Sequence, residues 1–593
     1  MKDPTLAVLP FANMSADASY EYFSDGVTEE IINALAGING LKVVSRTSSF
    51  HFRLQDTPLP EIARQLKVGT ILQGSVRVVG KRVRITAQLI RAYDDTHYWS
   101  ERWDRSLEDI FAVQDEISLL IADKLREQLG HFEIGEHLVR PATLNLDAYA
   151  YALKAKFHFN KWNPEDVRQA IGYYEAALQL DPNHAPSYIG LADAYGFMAT
   201  TTFMPMEEAW QKAAECTHKA LVLAPDDPGV HYQLANLAFF TACDFEKAAH
   251  HNLRAIELKP SYPEAQQYMA FLYLLKGQQT EARQHLALAL DIDPFNQETL
   301  FYKGYFLYRT GKHEEALAQM STLLAHNPKN IPALTVKAYL LLKMGNFSSV
   351  REMMGKLPGA IIIPDEVLGI RALSYLMEDN STAGEWLPRL QKAAQPPHAF
   401  QAHTYLFLAY AQLGQHDKAF DWLENALSYR SSILLLSFSD PLASPLFHHP
   451  KYAIFHKRLY PPIQKAEAIS NGHQPLMTEQ EASNAQARLL ALMKEEAPYL
   501  NPGLTLRDLA AQSGLHPNQL SWLINQALGK NFSAFINDYR VAQFKMLAKD
   551  PDNSHISILG LAYESGFNSK TVFNTYFKKT VGITPGAYLK QLH

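Results

Sequence analysis

Apolar and polar residues follow two rhythms along this chain. Near the N-terminus the period is two: Val76 and Val78, then Val83, Ile85, Ala87 and Leu89, separated by Gly80-Lys81. That alternation predicts a β-hairpin with one buried face. Short apolar runs at Leu6–Phe11 and Leu41–Ser45 predict further strands, and Val27–Ala36, Leu59–Leu66 and Leu107–Leu129 carry helical spacing. Residues 1–130 therefore read as a small α+β domain, a sheet covered by helices. From about residue 145 the period is helical and stays so to the end of the chain.

Within residues 145–460 the helical pattern is punctuated by proline: Asp181-Pro182, Ala224-Pro225, Lys259-Pro260, Asp293-Pro294 and Asn327-Pro328. Proline cannot continue the helical hydrogen-bond ladder. Gly277, Gly311, Gly345 and Gly414 fall at the turn between the two helices of a repeat, where positive φ is needed, and Asp379-Asn380 fills the expected position between Gly345 and Gly414. Small residues (Ala282, Ala289, Ala316, Ala419, Ala426) let paired helices approach. The later proline intervals lie near the roughly 34-residue period of the tetratricopeptide (TPR) repeat, and the region resembles an all-α TPR solenoid of about eight units. Such an array offers a concave groove to a protein or peptide partner.

The C-terminal pattern consists of short helices joined by glycine turns. In Ile558–Pro585 apolar residues at Ile558, Leu559, Ala562, Phe567, Val572, Phe573 and Phe577 flank a Ser565-Gly566 break, the outline of a helix-turn-helix. Leu504–Val541 repeats this logic, with Thr505 and Asp508 as a capping box, Gly514 at the turn and Pro517 opening the second helix. A polar stretch at Ile469–Ser483 marks a linker over 461–483, leaving 484–593 as an all-α domain with two helix-turn-helix units.

Composition alters this picture in few places. The 593 residues carry a formal net charge of -6, so a basic surface must be local. From Pro498 onward nine Lys and Arg face five Asp and Glu, which makes the last domain basic. The two cysteines, Cys216 and Cys243, form no metal spacing and fit a reducing, cytoplasmic setting. No signal peptide is expected from MKDPTLAVLPF, and no apolar run is long enough to span a membrane. Asp94, Asp95, His97, Glu101 and Asp104 read as a polar hairpin exit and solvated loop rather than an acid–base cluster, with Trp99 and Trp103 packing on the sheet. His250-His251 and His448-His449 point to different helix faces, against metal binding. No phosphate loop, nucleophile constellation, metal or cofactor site is seen, so no enzymatic activity is expected.

The segment ILGLAYESGFNSKTVFNTYFKKTVGITPGAYLK, with Gly566, Phe567, Phe573, Phe577, Gly582, Thr584, Pro585 and Tyr588 in their places, resembles the DNA-binding domain of AraC-family transcription regulators. LAVLPFANMS, FSDGVTEEIINAL, LKVVSRTSSF and ILQGSVRVVGKRVRITAQLIRA resemble a TolB-like domain. The AraC resemblance implies that two recognition helices enter successive major grooves of double-stranded DNA. It assigns base contacts to Asn518, Ser521, Trp522 and Asn525 in the first unit and to Lys570, Thr571, Asn574 and Thr575 in the second. Lys530, Arg540, Lys578 and Lys579 are the phosphate candidates. The expected function is sequence-specific transcription regulation, with the TolB-like and TPR regions receiving a signal, binding a partner or forming a homodimer. The alternative is a TPR scaffold in which DNA binding is secondary.

Overall fold

The computed structural model describes residues 4–17, 20–53, 57–106, 110–135, 137–138, 142–201, 203–357, 364–395, 400–463 and 476–592. The N-terminal domain is a twisted sheet of β1 (Thr5–Val8), β2 (Ala12–Asn13), β3 (Lys42–Val43), β4 (Thr70–Val79), β5 (Arg82–Arg91) and β6 (Thr96–Ser106). The strand order is β3-β1-β4-β5-β6, with β2 pairing further along β4. β1 is parallel to β3 and β4, while β4, β5 and β6 are antiparallel. Alternation along the strands divides two cores. Leu6, Val8, Leu72 and Ile85 pack under α1 (Glu21–Ala36) and α4 (Ile110–Leu129). Ala7, Leu9 and Ile71 pack against Ile62 and Leu66 of α3 (Leu59–Leu66), and against Phe52, which follows α2 (Arg46–Phe50).

The expected solvated loop after the hairpin is instead β6, with Trp103 opposite Ile85. Its charged residues belong to an edge strand: Asp104 meets Arg84 of β5 at 2.7 Å, and Trp103 turns inward to lie 5.7 Å from Trp99. Charge on an exposed edge hides the alternation in the sequence and blocks pairing with another strand.

Among the described residues, Leu146–Ser428 forms eight antiparallel helix pairs, a TPR-like solenoid. Gly277, Gly311, Gly345 and Gly414 all have positive φ between the helices of their pairs, and each marker proline lies just beyond a helix end. The array curls back on itself, so that the first pair touches the fifth and the segment after the last pair touches the third. Asn327 Nδ2 donates to Lys161 O (2.9 Å), Ser432 Oγ to Phe240 O (2.8 Å), and Trp162 packs 5.5 Å from Phe301.

Residues 431–461 then fold back inside the curl. Their backbone carbonyls are met by the last residue of the first helix in the fourth, fifth, sixth and eighth pairs. Lys276 Nζ donates to Pro461 O (2.9 Å), Arg309 Nη2 to Ser439 O (2.8 Å), Lys343 Nζ to Pro441 O (2.9 Å), and Gln412 Nε2 to Leu442 O. Asp440, 3% exposed, accepts from Tyr308 Oη (2.6 Å) and Leu442 N (2.8 Å).

The N-terminal domain sits on the same array at three places, one of them where Ser261 Oγ donates to Ala36 O (3.2 Å). Lys42 pairs with Asp291 (2.7 Å), Ser45 N donates to Ile292 O (2.8 Å), and His51 stacks on Phe295 at 4.3 Å. At the first pair, Lys156 meets Glu29 of α1 (2.7 Å) and Tyr149 Oη donates to Gly26 O (3.1 Å).

The C-terminal domain begins earlier than the expected boundary at residue 484. Thr478 forms a capping box with Glu481 at the start of the Glu479–Glu495 helix, and Met477 is buried in the domain core. Of the expected linker over 461–483, residues 464–475 lie outside the described residues. Two cores follow, one around Leu509, Leu523 and Phe535 and one around Phe544, Phe567 and Phe577. Among the described residues no helix is long and apolar enough to cross a membrane.

Asp440→Ala should orphan two buried donors at about 1–3 kcal/mol each. The urea midpoint of the helical array should therefore fall, by about 3 kcal/mol of stability in all. An unchanged midpoint would show that the folded-back segment does not hold the array.

Candidate nucleic-acid interface

In the second helix-turn-helix unit, Ser557 caps the Ile558–Glu564 helix and Ser569 caps the recognition helix, Lys570–Val581. Gly566 makes the turn at φ +90°, where a Cβ would lie 2.2 Å from Tyr499 O. No other residue fits there, because the conformation is left-handed and the first unit's backbone is in contact. Phe573 packs 4.8 Å from Phe544 and 5.1 Å from Phe567, fixing which side of the recognition helix faces inward. Tyr576 Oη donates to Ala534 O (2.9 Å), tying the helix to the connecting helix Phe532–Lys549.

The opposite side carries the expected readers. Lys570, Thr571, Thr575, Lys578 and Lys579 are exposed and Asn574 is half-buried. Lys570, Asn574, Thr575 and Lys578 line one open cleft with Ser557 and Thr584, and no carboxylate lines it among the described residues. Amide, hydroxyl and ammonium groups on one exposed helix face can donate to and accept from base edges and neutralise phosphates.

The first unit is built the same way. Thr505 and Asp508 complete a capping box, Gly514 turns at φ +67°, and His516 caps the recognition helix Pro517–Leu528. Its readers are placed differently from the expectation. Ser521 is buried, and Trp522 is half-buried against the unit's own core. Asn518 faces the N-terminal domain. Its Oδ1 accepts from Arg126 Nη1 and Ile134 N, and its Nδ2 donates to Ile134 O (3.2 Å). Asn525 reaches Gly130 at the end of α4, where a Cβ would come within 3.2 Å of its Nδ2.

More contacts surround these. Glu127 Oε1 accepts from Leu506 N (2.9 Å), Asp123 pairs with both Arg126 (2.6 Å) and Arg507, and Asn531 Nδ2 donates to Gln128 O (2.7 Å). Arg126 is 1% exposed, and burial lowers its pKa against the pull of Asp123. The sequence reading missed Asp123, Arg126 and Glu127 as partners of the first unit. Their signal was charge at helical spacing in the otherwise apolar run of α4.

Two phosphate candidates are also reassigned. Arg540 is buried and donates to Tyr499 O (2.8 Å) and Asn501 O (2.9 Å), and burial pushes its pKa down to about 10. It braces the two units rather than meeting solvent. Lys530 is part-exposed but paired with Asp538 at 2.6 Å.

Residues 509–591 match the model of a helix-turn-helix domain, and residues 2–120 match that of the second domain of HilA/YgeH-like transcriptional regulators. The chain is 37% identical over 245 residues to putative adenylate cyclase 3 of Rhizobium meliloti, covering 39% of this chain and 40% of that protein. It is 31% identical over 88 residues to the uncharacterized HTH-type transcriptional regulator YtdP of Bacillus subtilis, covering 15% of this chain and 11% of that one. It is 30% identical over 95 residues to the regulatory protein PocR of Salmonella typhimurium, covering 16% and 30%. The chain thus spans 40% or less of the length of each of these curated relatives. Among solved structures, a tetratricopeptide repeat protein from Parabacteroides merdae aligns over 49% of this chain and 100% of its own at 14% identity, with a TM-score of 0.27.

Gly566→Ala should destabilise the C-terminal domain by about 2 kcal/mol or more, from a left-handed residue pressed on backbone. Differential scanning calorimetry reads this, and an unshifted transition would contradict the turn geometry. Asn574→Ala should cost about 1–3 kcal/mol at one base position. Lys578→Ala should weaken all sequences alike and reduce the salt slope by about one. Equal losses for both variants on specific and random duplexes would refute the assignment.

Proposed function

We propose that this protein is a sequence-specific DNA-binding transcription regulator of the AraC type, whose TPR-like array and N-terminal domain govern access to DNA. The observation that carries the reading is the second recognition helix, which presents Lys570, Thr571, Asn574 and Thr575 on a free face inside a matched helix-turn-helix domain. The N-terminal domain is read as TolB-like and the whole as a non-enzymatic cytoplasmic protein. Partners are operator DNA, a protein or peptide on the array surface, and a second copy of the chain.

The two units differ in readiness. Recognition helices meet base edges with their N-terminal residues. In the first unit that end is held by α4, with Asn518 using its carbonyl and its amide on Arg126 and Ile134. The second unit is open. In this reading the described state engages one groove, and release of α4 admits the second.

Release can be imitated by Asp123→Asn with Glu127→Gln, which removes the charge that holds Arg507 and Leu506 N. The full-length variant should protect two successive grooves in a nuclease footprint where the parent protects one. Its affinity should rise about tenfold, or about 1.4 kcal/mol. A footprint and affinity identical to the parent's would reject control through α4. Absence of any preferred duplex for either protein would reject the regulator reading and leave the array as a scaffold.

A further inference from the structure

Between the helix pairs and the folded-back segment lies a half-open cavity of about 250 Å³. Rings from five successive pairs line it, among them Trp162, Trp210, Phe240, Tyr268, Phe301 and Tyr302, and Ile433 and Leu436 close the far side. Two carboxylates, Asp193 and Glu298, stand among these rings, and no Lys, Arg or His lines the cavity among the described residues. Each has a neutral hydrogen-bonding neighbour, Gln233 beside Asp193 and Gln267 beside Glu298.

Both carboxyl groups are harder to ionise than usual. Burial is the first cause for each, and Glu264 adds to both. Asp193 is pushed up to about 7, and Glu298 is raised well above its ordinary value, with Asp193 itself contributing. Half-buried carboxyls with no cation in the cavity wall are costly to ionise, and groups perturbed in this way cluster at functional sites.

The lining discriminates among ligand classes. An anion would meet two acids and the negative faces of aromatic rings. A neutral apolar molecule would leave both acids uncompensated. A divalent metal ion needs a shell of oxygen or nitrogen ligands. Here two carboxylates sit in an aromatic wall, and no group of three or more metal-binding side chains occurs among the described residues. An alkyl- or arylammonium ion suits every part, because aromatic faces attract a diffuse organic cation and carboxylates neutralise it.

We propose that this cavity binds a small organic ammonium ion, with its charge between Asp193 and Glu298 and its carbon body against the rings. A volume of about 250 Å³ suits a compact amine. The cavity's far wall belongs to the segment that closes the array, so occupancy bears on the packing of that segment. The site stands on the cavity's own chemistry. Its binding is measured without DNA, and it holds or fails independently of the regulator reading.

The test is isothermal titration calorimetry on the full-length protein with choline, phenethylamine and putrescine, alongside the uncharged counterparts 3,3-dimethylbutan-1-ol and 2-phenylethanol. At least one ammonium probe with an uncharged counterpart should bind ten times more tightly than that counterpart. Asp193→Asn and Glu298→Gln should each weaken it at least tenfold. The amide variants replace carboxyl groups that resist ionisation with neutral groups of the same shape, so their thermal midpoints without ligand should equal or exceed the parent's. No binding of any ammonium probe at millimolar concentration, equal binding of charged and uncharged members, or undiminished binding in both variants would overturn the proposal. Should either variant fail to fold, the parent's charged-against-uncharged comparison decides the matter alone.

Discussion

The architecture depends on how a chain of short helices is kept inside a helical ring. Buried carbonyl groups require donors. Residues 431–461 form the short helices Ile433–Ser437, Pro441–Leu446 and Pro450–Leu459, and carbonyls at their ends and junctions need donors from outside. The donors come from Lys276, Arg309, Lys343 and Gln412, each the last residue of the first helix in its pair. Three of these are cations at helix C-termini, where the helix dipole also favours positive charge. One repeated position thus serves the local helix and the long-range closure together. The curl that results supplies the back wall of the aromatic cavity, and the same array provides the seats for the N-terminal domain at Asp291–Phe295, at Ser261 and at Tyr149–Lys156.

Seating the N-terminal domain in turn determines what α4 can touch. Its end carries Asp123, Arg126 and Glu127 against the first helix-turn-helix unit, where a fully buried guanidinium is shared between a carboxylate and the Asn518 amide. Polar, desolvated contacts of this kind add little net stability but discriminate strongly among packing arrangements. That suits a contact which must be specific and still separable. Gly130 has the complementary role, since its φ of +127° is one that L side chains rarely adopt and a Cβ there would press to 3.2 Å from Asn525 Nδ2.

Much of this was legible in the sequence. Period-two alternation located the β4–β5 hairpin, and proline and glycine spacing located the helix pairs, because both signals are local and repeated. The second helix-turn-helix was equally plain, since Phe573 and Phe577 define its inner face and leave its reading face by subtraction. What remained hidden depended on contacts between distant parts of the chain. β6 escaped notice because an edge strand needs little apolar alternation. Arg540 looked like a surface cation because nothing in its neighbourhood shows that Tyr499 and Asn501 supply carbonyls to it. Asn518 looked like a base reader for the same reason: its helix face is correctly polar, but the polar partner is a domain almost four hundred residues away.

Stacked-repeat proteins commonly tolerate gain or loss of a unit, since each repeat touches only its neighbours. This array has lost that modularity. Lys276, Arg309 and Lys343 recur once per repeat, yet the carbonyls they hold follow the path of a single segment. Duplicating a unit would push one donor out of register with that path and separate Lys161 from Asn327 across the ring. The path of that one segment therefore fixes the repeat number of this array. Its diversification should run through point substitutions on the inner wall rather than through the unit-by-unit growth and shrinkage by which open arrays change.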